Sequence, residues 1–202
     1  MPNVPLSLGL KMVAGGIRNR MKHKPLSVSF EITHSCTANC WHCNLGGPIK
    51  EERLSAEGYG KICRELDPVI ACVSGGEPLA RGDVYDIVEA LAIPGQLPWM
   101  VVVSNGSNLT LEKFFKLKKA GMHQLSLSMD FPDERHDEFR RVPGLFDRLS
   151  RVVPEITSQS DKDDVLVNVC ITAWNFRELP GIVKTAKEWG VGVNFSAYSH
   201  LR

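Results

Sequence analysis

Six runs rich in β-branched and apolar residues recur along the chain, at 26–33, 69–74, 99–104, 124–130, 165–172 and 191–198. Between them lie SAEGYGKICREL, DVYDIVEALA, LEKFFKLKKAG, GLFDRLSRVVPEI and ELPGIVKTAKEWG, whose apolar residues return every three or four positions. The first pattern is that of strands and the second that of amphipathic helices. Gly121 and Gly190 stand where a helix ends in a left-handed residue. Strands separated by helices run parallel, because each crossover returns the chain to the same edge of the sheet. The alternation therefore predicts an α/β fold with one parallel sheet.

Side-chain parity narrows this further. A parallel sheet covered by helices on both faces is apolar on both. Here Val28, Phe30 and Ile32 alternate with Ser29, Glu31 and Thr33. Leu125 and Leu127 alternate with Ser126, Ser128 and Asp130, and Val193 and Phe195 with Asn194, Ser196 and Tyr198. The second and third runs alternate weakly. Helices can cover only the apolar parity, so the polar parity converges on water or a ligand. A closed barrel fills its interior with branched apolar side chains. The expectation is an open, partial parallel β/α barrel of about six strands.

At 202 residues the chain has the length of one domain, divided here into a basic lead at 1–25 and a core at 26–202. The formal charge of +1 argues against bulk attraction to nucleic acid. No run approaches the roughly 20 apolar residues of a membrane span, and the start lacks the order of a signal peptide. Lys11, Arg18, Arg20, Lys22 and Lys24 fall together without an acid among them. We read that lead as a solvated helix or arm, with membrane-surface contact as the alternative.

Three of the six cysteines, Cys36, Cys40 and Cys43, sit in CTANCWHC directly after the first strand. Clustered cysteines without a disulfide-like framework fit a reducing cytoplasm and point to metal or catalysis. Barrel active sites gather at that end of the strands. The C-x3-C-x2-C spacing lets one loop wrap a cuboidal cluster, each thiolate on a different iron. Zinc prefers four protein ligands, and only His34 or His42 stands near enough in sequence to complete such a site. Cys63, Cys72 and Cys170 read as small buried hydrophobes, although Cys72 and Cys170 share the polar parity of their strands. After the second strand comes SGGEPL, where Gly75 and Gly76 permit close backbone approach and Glu77 offers a carboxylate to an ammonium group.

The cysteine loop resembles that of radical S-adenosylmethionine (SAM) enzymes, whose motif is C-x3-C-x-aromatic-C, with His42 at the aromatic position. The resemblance extends over nearly all of residues 26–200. It implies a [4Fe–4S] cluster on Cys36, Cys40 and Cys43, with SAM chelating the open iron. It implies that Gly75, Gly76 and Glu77 hold the SAM amino group and that Ser104 and Asn105, in VVVSNGSNL, face SAM. The segment LSLSMDFPDERHDEFRRVPGLFDR is similar to that of enzymes that modify peptides or build cofactors. It makes Ser128 and Asp130 candidates for the ribose or carboxylate region. Arg140 is either a carboxylate partner there or a surface residue paired with Glu138 or Asp137. Asn168, Thr172 and Asn194, on polar strand faces, are further contact candidates, and Asn194 is taken as cofactor-binding.

The implied activity is reductive cleavage of SAM to a 5′-deoxyadenosyl radical that abstracts hydrogen from a small-molecule or peptide substrate, with flavodoxin or ferredoxin as electron donor. The lead and KPLSVSFEITHSC also resemble radical SAM enzymes of hopanoid lipid synthesis. The sequence ends just after the sixth strand, so the core is expected to lack a last helix and a C-terminal substrate domain. Two other classes compete: an iron–sulfur electron-transfer or cluster-binding protein, and a truncated, non-catalytic core.

Overall fold

The computed structural model describes residues 5–93, 95–161 and 163–198. Six strands, β1 (Ser27–Thr33), β2 (Ile70–Gly75), β3 (Trp99–Ser104), β4 (Gln124–Ser128), β5 (Val165–Ile171) and β6 (Gly192–Ala197), form one sheet in that order. Every neighbouring pair is parallel. Among the described residues β1 and β6 do not pair with each other, so the barrel is open. The predicted strands agree to within two residues at each end. The run at 124–130 ends early as a strand, with Met129 packed in the core and Asp130 buried against Arg140.

The helices α1 (Leu6–Met21), α2 (Ala56–Leu66), α3 (Val84–Leu91), α4 (Leu111–Ala120), α5 (Arg135–Arg140), α6 (Leu145–Thr157) and α7 (Leu179–Glu188) complete the described secondary structure, with a short 3-10 turn at Pro78–Ala80. Local chemistry sets their ends. Ser55 and Thr110 cap α2 and α4 through side-chain oxygens that accept the N–H of Gly58 and Lys113. Gly121 closes α4 at φ 111°. The six-residue α5 was not predicted as an element of its own, being too short for its periodicity to register.

The core lies between the convex face of the sheet and its helices. Ala71, Val73, Met100, Val102, Leu125, Leu127, Val165 and Val167 meet Ile87, Leu91, Phe114, Leu117, Leu149 and Ile182, all in one cluster. The other parity, which includes Ser29, Cys72, Ser74, Asn168 and Cys170, lines the concave side and is half-buried or exposed. That is the division the alternating residues predict. Cys63 is buried in α2, where burial pushes its thiol up to about 11, as a small hydrophobe should be. The sixth strand differs: Val193 packs against the core, but Phe195, on the same parity, is exposed.

The basic lead is a helix seated on the N-terminal edge of the sheet. Asn19, fully buried, donates through Nδ2 to the carbonyls of Pro25 (2.9 Å) and Asp67 (2.7 Å), just ahead of β1 and β2. A Cβ on Gly15 would meet Leu97 and Val69. Asn19→Ala would strand two carbonyls beneath the helix. The expected loss is about 1–3 kcal/mol, read by urea unfolding, with faster amide exchange confined to α1.

Candidate active site

The C-terminal ends of β1 to β4 surround one cavity of about 120 Å³. The loop after β1 supplies Cys36, Cys40, His42, Cys43 and Leu45 to its wall. The loop is closed by Cys36 N–H donating to the Gly47 carbonyl at 3.0 Å and by a turn from Cys43 N–H to the Cys40 carbonyl at 3.2 Å. It hangs on the last turn of α5. The carbonyls of Glu138, Phe139 and Arg140 accept from Trp41 Nε1, Trp41 N and Asn39 N at 3.2, 3.1 and 3.2 Å. A helix end leaves carbonyls without intrahelical partners, and here the cysteine loop takes them.

The sulfurs are met by donors. Ala38 N–H and Asn105 Nδ2 approach Cys36 Sγ at 3.4 and 3.6 Å, and Leu45 N–H approaches Cys43 Sγ at 3.4 Å. Burial pushes the Cys36 thiol up from its ordinary range, opposed by the Ala38 and Asn105 donors. Cys40 is likewise pushed up by burial, opposed by the Arg140 guanidinium. Among the described residues, no three His, Cys, Asp or Glu side chains close on a point where one metal ion would sit. The described residues thus form no compact mononuclear site of the zinc kind. The His42 Nδ1 atom is buried without a hydrogen-bond partner, and its ring stacks on Phe139 at 5.1 Å. An orphaned polar atom in a thiol-lined cavity is what a bound cofactor would satisfy.

The strand ends contribute Gly75, Gly76, Ser104, Asn105 and Ser128, and α5 contributes Arg140, all on the cavity wall. The two glycines are required by the protein itself. Gly75 has φ 120°, and a Cβ there would lie 2.2 Å from the Thr33 carbonyl; one on Gly76 would lie 2.2 Å from that of Ser35. Gly76 N–H and Glu77 N–H donate to those same carbonyls at 2.7 and 2.9 Å. β2 is thus stitched to the root of the cysteine loop.

Three expected contact residues do not face the cavity. Glu77 has no exposed surface: its Oε1 accepts from Leu79 N–H (2.9 Å) and Ser104 Oγ (2.8 Å), and its Oε2 from Asn105 N–H (2.7 Å). Its carboxyl is pushed up by burial against those bonds, which favour the ionised form. It is a brace between β2 and β3, with the Gly75 and Gly76 backbone left to face the cavity. Asp130 is also fully buried. Its Oδ2 accepts from Arg140 Nε and Nη2 at 2.7 and 2.6 Å, and its Oδ1 accepts Cys170 N–H at 3.0 Å. Arg140 is therefore a carboxylate partner within the chain, not a surface residue paired with Glu138 or Asp137. Asn194 lies exposed on β6, donating to Asn168 Oδ1 at 2.7 Å, away from the cavity wall.

Several supporting residues carried no local signal. Arg81 is buried and donates to the carbonyls of Ile32 and Leu54, tying the end of β1 to the tail of its loop. Asn175, fully buried, donates to the Asp130 and Cys170 carbonyls and accepts from Thr172. His136 Nδ1 accepts Asp130 N–H at 3.2 Å. Burial, then the charge of Arg140, lowers the pKa of His136 to about 3. The partners of these side chains lie on other elements, so residue type alone does not expose them.

An open six-stranded parallel barrel with three thiols gathered at one mouth defines a cofactor-dependent α/β protein. The profile of the radical SAM superfamily matches residues 30–185, and the chain belongs to that superfamily. It is similar to the AdoMet-dependent heme synthase of Methanosarcina barkeri, at 31% identity over 84% of this chain and 49% of the relative. It is also similar to the GTP 3′,8-cyclase of Saccharophagus degradans, at 28% over 83% of this chain and 52% of the relative. Among solved structures, Streptococcus suis SuiB bound to S-adenosylmethionine shares the fold with a TM-score of 0.74 and 16% identity, over 94% of this chain and 45% of that one. The chain thus spans about half the length of the relatives it matches.

Two outcomes follow from this geometry. Gly76→Ala should push the Ser35 carbonyl away and displace Cys36, costing about 1–3 kcal/mol and lowering iron uptake on anaerobic reconstitution. Gly82→Ala, where a Cβ meets nothing within 4 Å, should do neither. His136 concerns acid. Its folded pKa lies below the ordinary 6.5, so between pH 6.5 and about 3 the unfolded chain binds a proton that the folded chain refuses. Its stabilising contribution is complete above pH 6.5 and is lost as pH falls through that window. Urea midpoints should therefore drop faster with acid in the wild type than in His136→Gln; parallel curves would reject the assignment.

Proposed function

We propose that the chain is the catalytic core of a radical SAM enzyme acting on a small molecule or a peptide. The observation that carries this reading is the convergence of Cys36, Cys40 and Cys43 on one cavity, with N–H donors at the sulfurs of Cys36 and Cys43 and an orphaned imidazole nitrogen beside them. The three thiolates would ligate three irons of a [4Fe–4S] cluster, leaving the fourth iron to SAM. When bound, the pair supplies one-electron cleavage of SAM and a hydrogen-abstracting 5′-deoxyadenosyl radical.

The chain's own work is to hold and to exclude. Donors to thiolate sulfur stabilise the charged ligand and tune the potential of what it binds. Arg140, neutralised on one side by Asp130, places positive charge beside Cys40 and favours its thiolate. The Gly75 and Gly76 backbone, Ser104, Asn105 and Ser128 would hold the polar parts of SAM, with the unpartnered His42 Nδ1 as a further polar atom on the same wall. Leu45 and Val103 form the apolar part of the wall and keep water from it. A one-electron donor of the flavodoxin or ferredoxin kind would supply the reducing equivalent. The names of the relatives, a heme synthase and a GTP cyclase, support a cofactor-building substrate within this reading.

Anaerobic reconstitution with iron and sulfide, then dithionite and SAM, tests it. Wild type should carry one cluster and release 5′-deoxyadenosine. Alanine at Cys36, Cys40 or Cys43 should each remove most of the iron and all of the product. Serine at Cys63, Cys72 or Cys170 should retain both, at a stability cost of about 1–3 kcal/mol. A loaded cluster with no 5′-deoxyadenosine at saturating SAM would leave an electron carrier in place of the enzyme.

A further inference from the structure

The α1 helix has two apolar faces, and the sheet uses only one. Leu8, Gly15 and Asn19 are buried against the N-terminal edge of the strands. Leu6, Leu10, Val13, Ile17 and Met21 are between 60% and 81% exposed. At 3.6 residues per turn these five side chains fall within about 80° of arc, on the side away from the sheet. They form one continuous ridge of large aliphatic side chains along the whole helix. A contiguous exposed apolar surface of this kind marks an interaction site, unlike scattered single residues.

Charge identifies what meets the ridge. The first 30 residues hold Lys11, Arg18, Arg20, Lys22 and Lys24, and the first acid in the chain is Glu31. Arg20 flanks the ridge on one side, with Lys11 and Arg18 on the other, while Lys22 and Lys24 continue past its C-terminal end. Asp67 is the acid facing this group: it pairs with Arg18 at 2.8 Å and lies 3.8 Å from Lys24. Lys11 Nζ donates to the Gly95 carbonyl. Neither Arg20 nor Lys22 has an ion-pair partner among the described residues. One carboxylate thus stands against five cations.

We infer that α1 is an interfacial helix that seats the protein on an anionic phospholipid bilayer. Its ridge enters the boundary of the acyl chains and its flanking cations reach the headgroup phosphates. At 16 residues it is about 24 Å long. No helix among the described residues is long and apolar enough to cross a membrane, so α1 lies along the surface. A second copy of the chain is the weaker occupant. The ridge has the spacing of a helix–helix seam, but pairing two such helices would line cations along both flanks with no acid to answer them.

The test is flotation of the full chain with vesicles, and it needs neither cluster nor substrate. Binding is expected to phosphatidylcholine vesicles containing about 30% phosphatidylglycerol, not to phosphatidylcholine alone, and to weaken as salt is raised from about 0.1 to about 0.5 M. The exposed-site double variant Leu10→Glu, Ile17→Glu should bind at least about tenfold less, with unchanged circular dichroism and urea midpoint. The Arg20→Glu, Lys22→Glu double variant, which leaves the ridge whole, should lose the preference for anionic vesicles. Wild type that fails to float, or variants that float as well as wild type, would overturn the inference. So would a dimer in sedimentation equilibrium that Leu10→Glu, Ile17→Glu dissociates while no vesicle binding is seen, since the ridge would then belong to a second copy.

Discussion

A single buried carboxylate organises the thiol-bearing end of this protein. Glu77 accepts from the backbone of Leu79 and Asn105 and from the Ser104 hydroxyl, so the ends of β2 and β3 are held at one spacing. Its own N–H, with that of Gly76, reaches back to the start of the cysteine loop. Asn105, fixed by the same carboxylate, then touches the Cys36 sulfur and Thr37. Position is passed from strand to carboxylate to loop to thiol. A buried carboxyl group held by three hydrogen bonds is costly to disturb, because removing one donor leaves a buried acceptor without its partner.

A second buried pair plays the corresponding part on the other side of the cavity. Asp130 and Arg140 neutralise each other while Asp130 also receives the Cys170 N–H and Arg140 stands beside Cys40. The helix that carries Arg140 gives its last carbonyls to the cysteine loop. The loop is therefore gripped from both flanks, by β2 and β3 through Glu77 and by α5 through its free carbonyls. Flexible as CTANCWHC looks on paper, it is held by partners far away in sequence.

Strand positions were legible because burial on one face imposes a period of two that survives in the residues. The cysteines and the Gly75–Gly76 pair were legible because spacing and small size are local properties. The direction of a side chain is not. Glu77 and Asp130 are read from the sequence as contacts to SAM, yet whether each meets ligand or protein depends on Ser104, Asn105 and Arg140 arriving from other elements. Arg81, Asn175 and His136 were invisible for the same reason, since a buried, satisfied polar residue has the same letter as a solvated one. The lead was legible as basic, but its apolar ridge was not recognised until the opposite face was seen to be buried.

The lead helix and the thiol-lined mouth lie at opposite ends of the strands. Strands of six or seven residues rise about 3.3 Å per residue, which sets the two ends about 20 Å apart. That is about two and a half Debye lengths at physiological ionic strength. Through solvent, a charged surface beneath α1 would be largely screened at the mouth. A chain seated on a bilayer through α1 would also hold its thiol-lined mouth on the side turned away from the lipid.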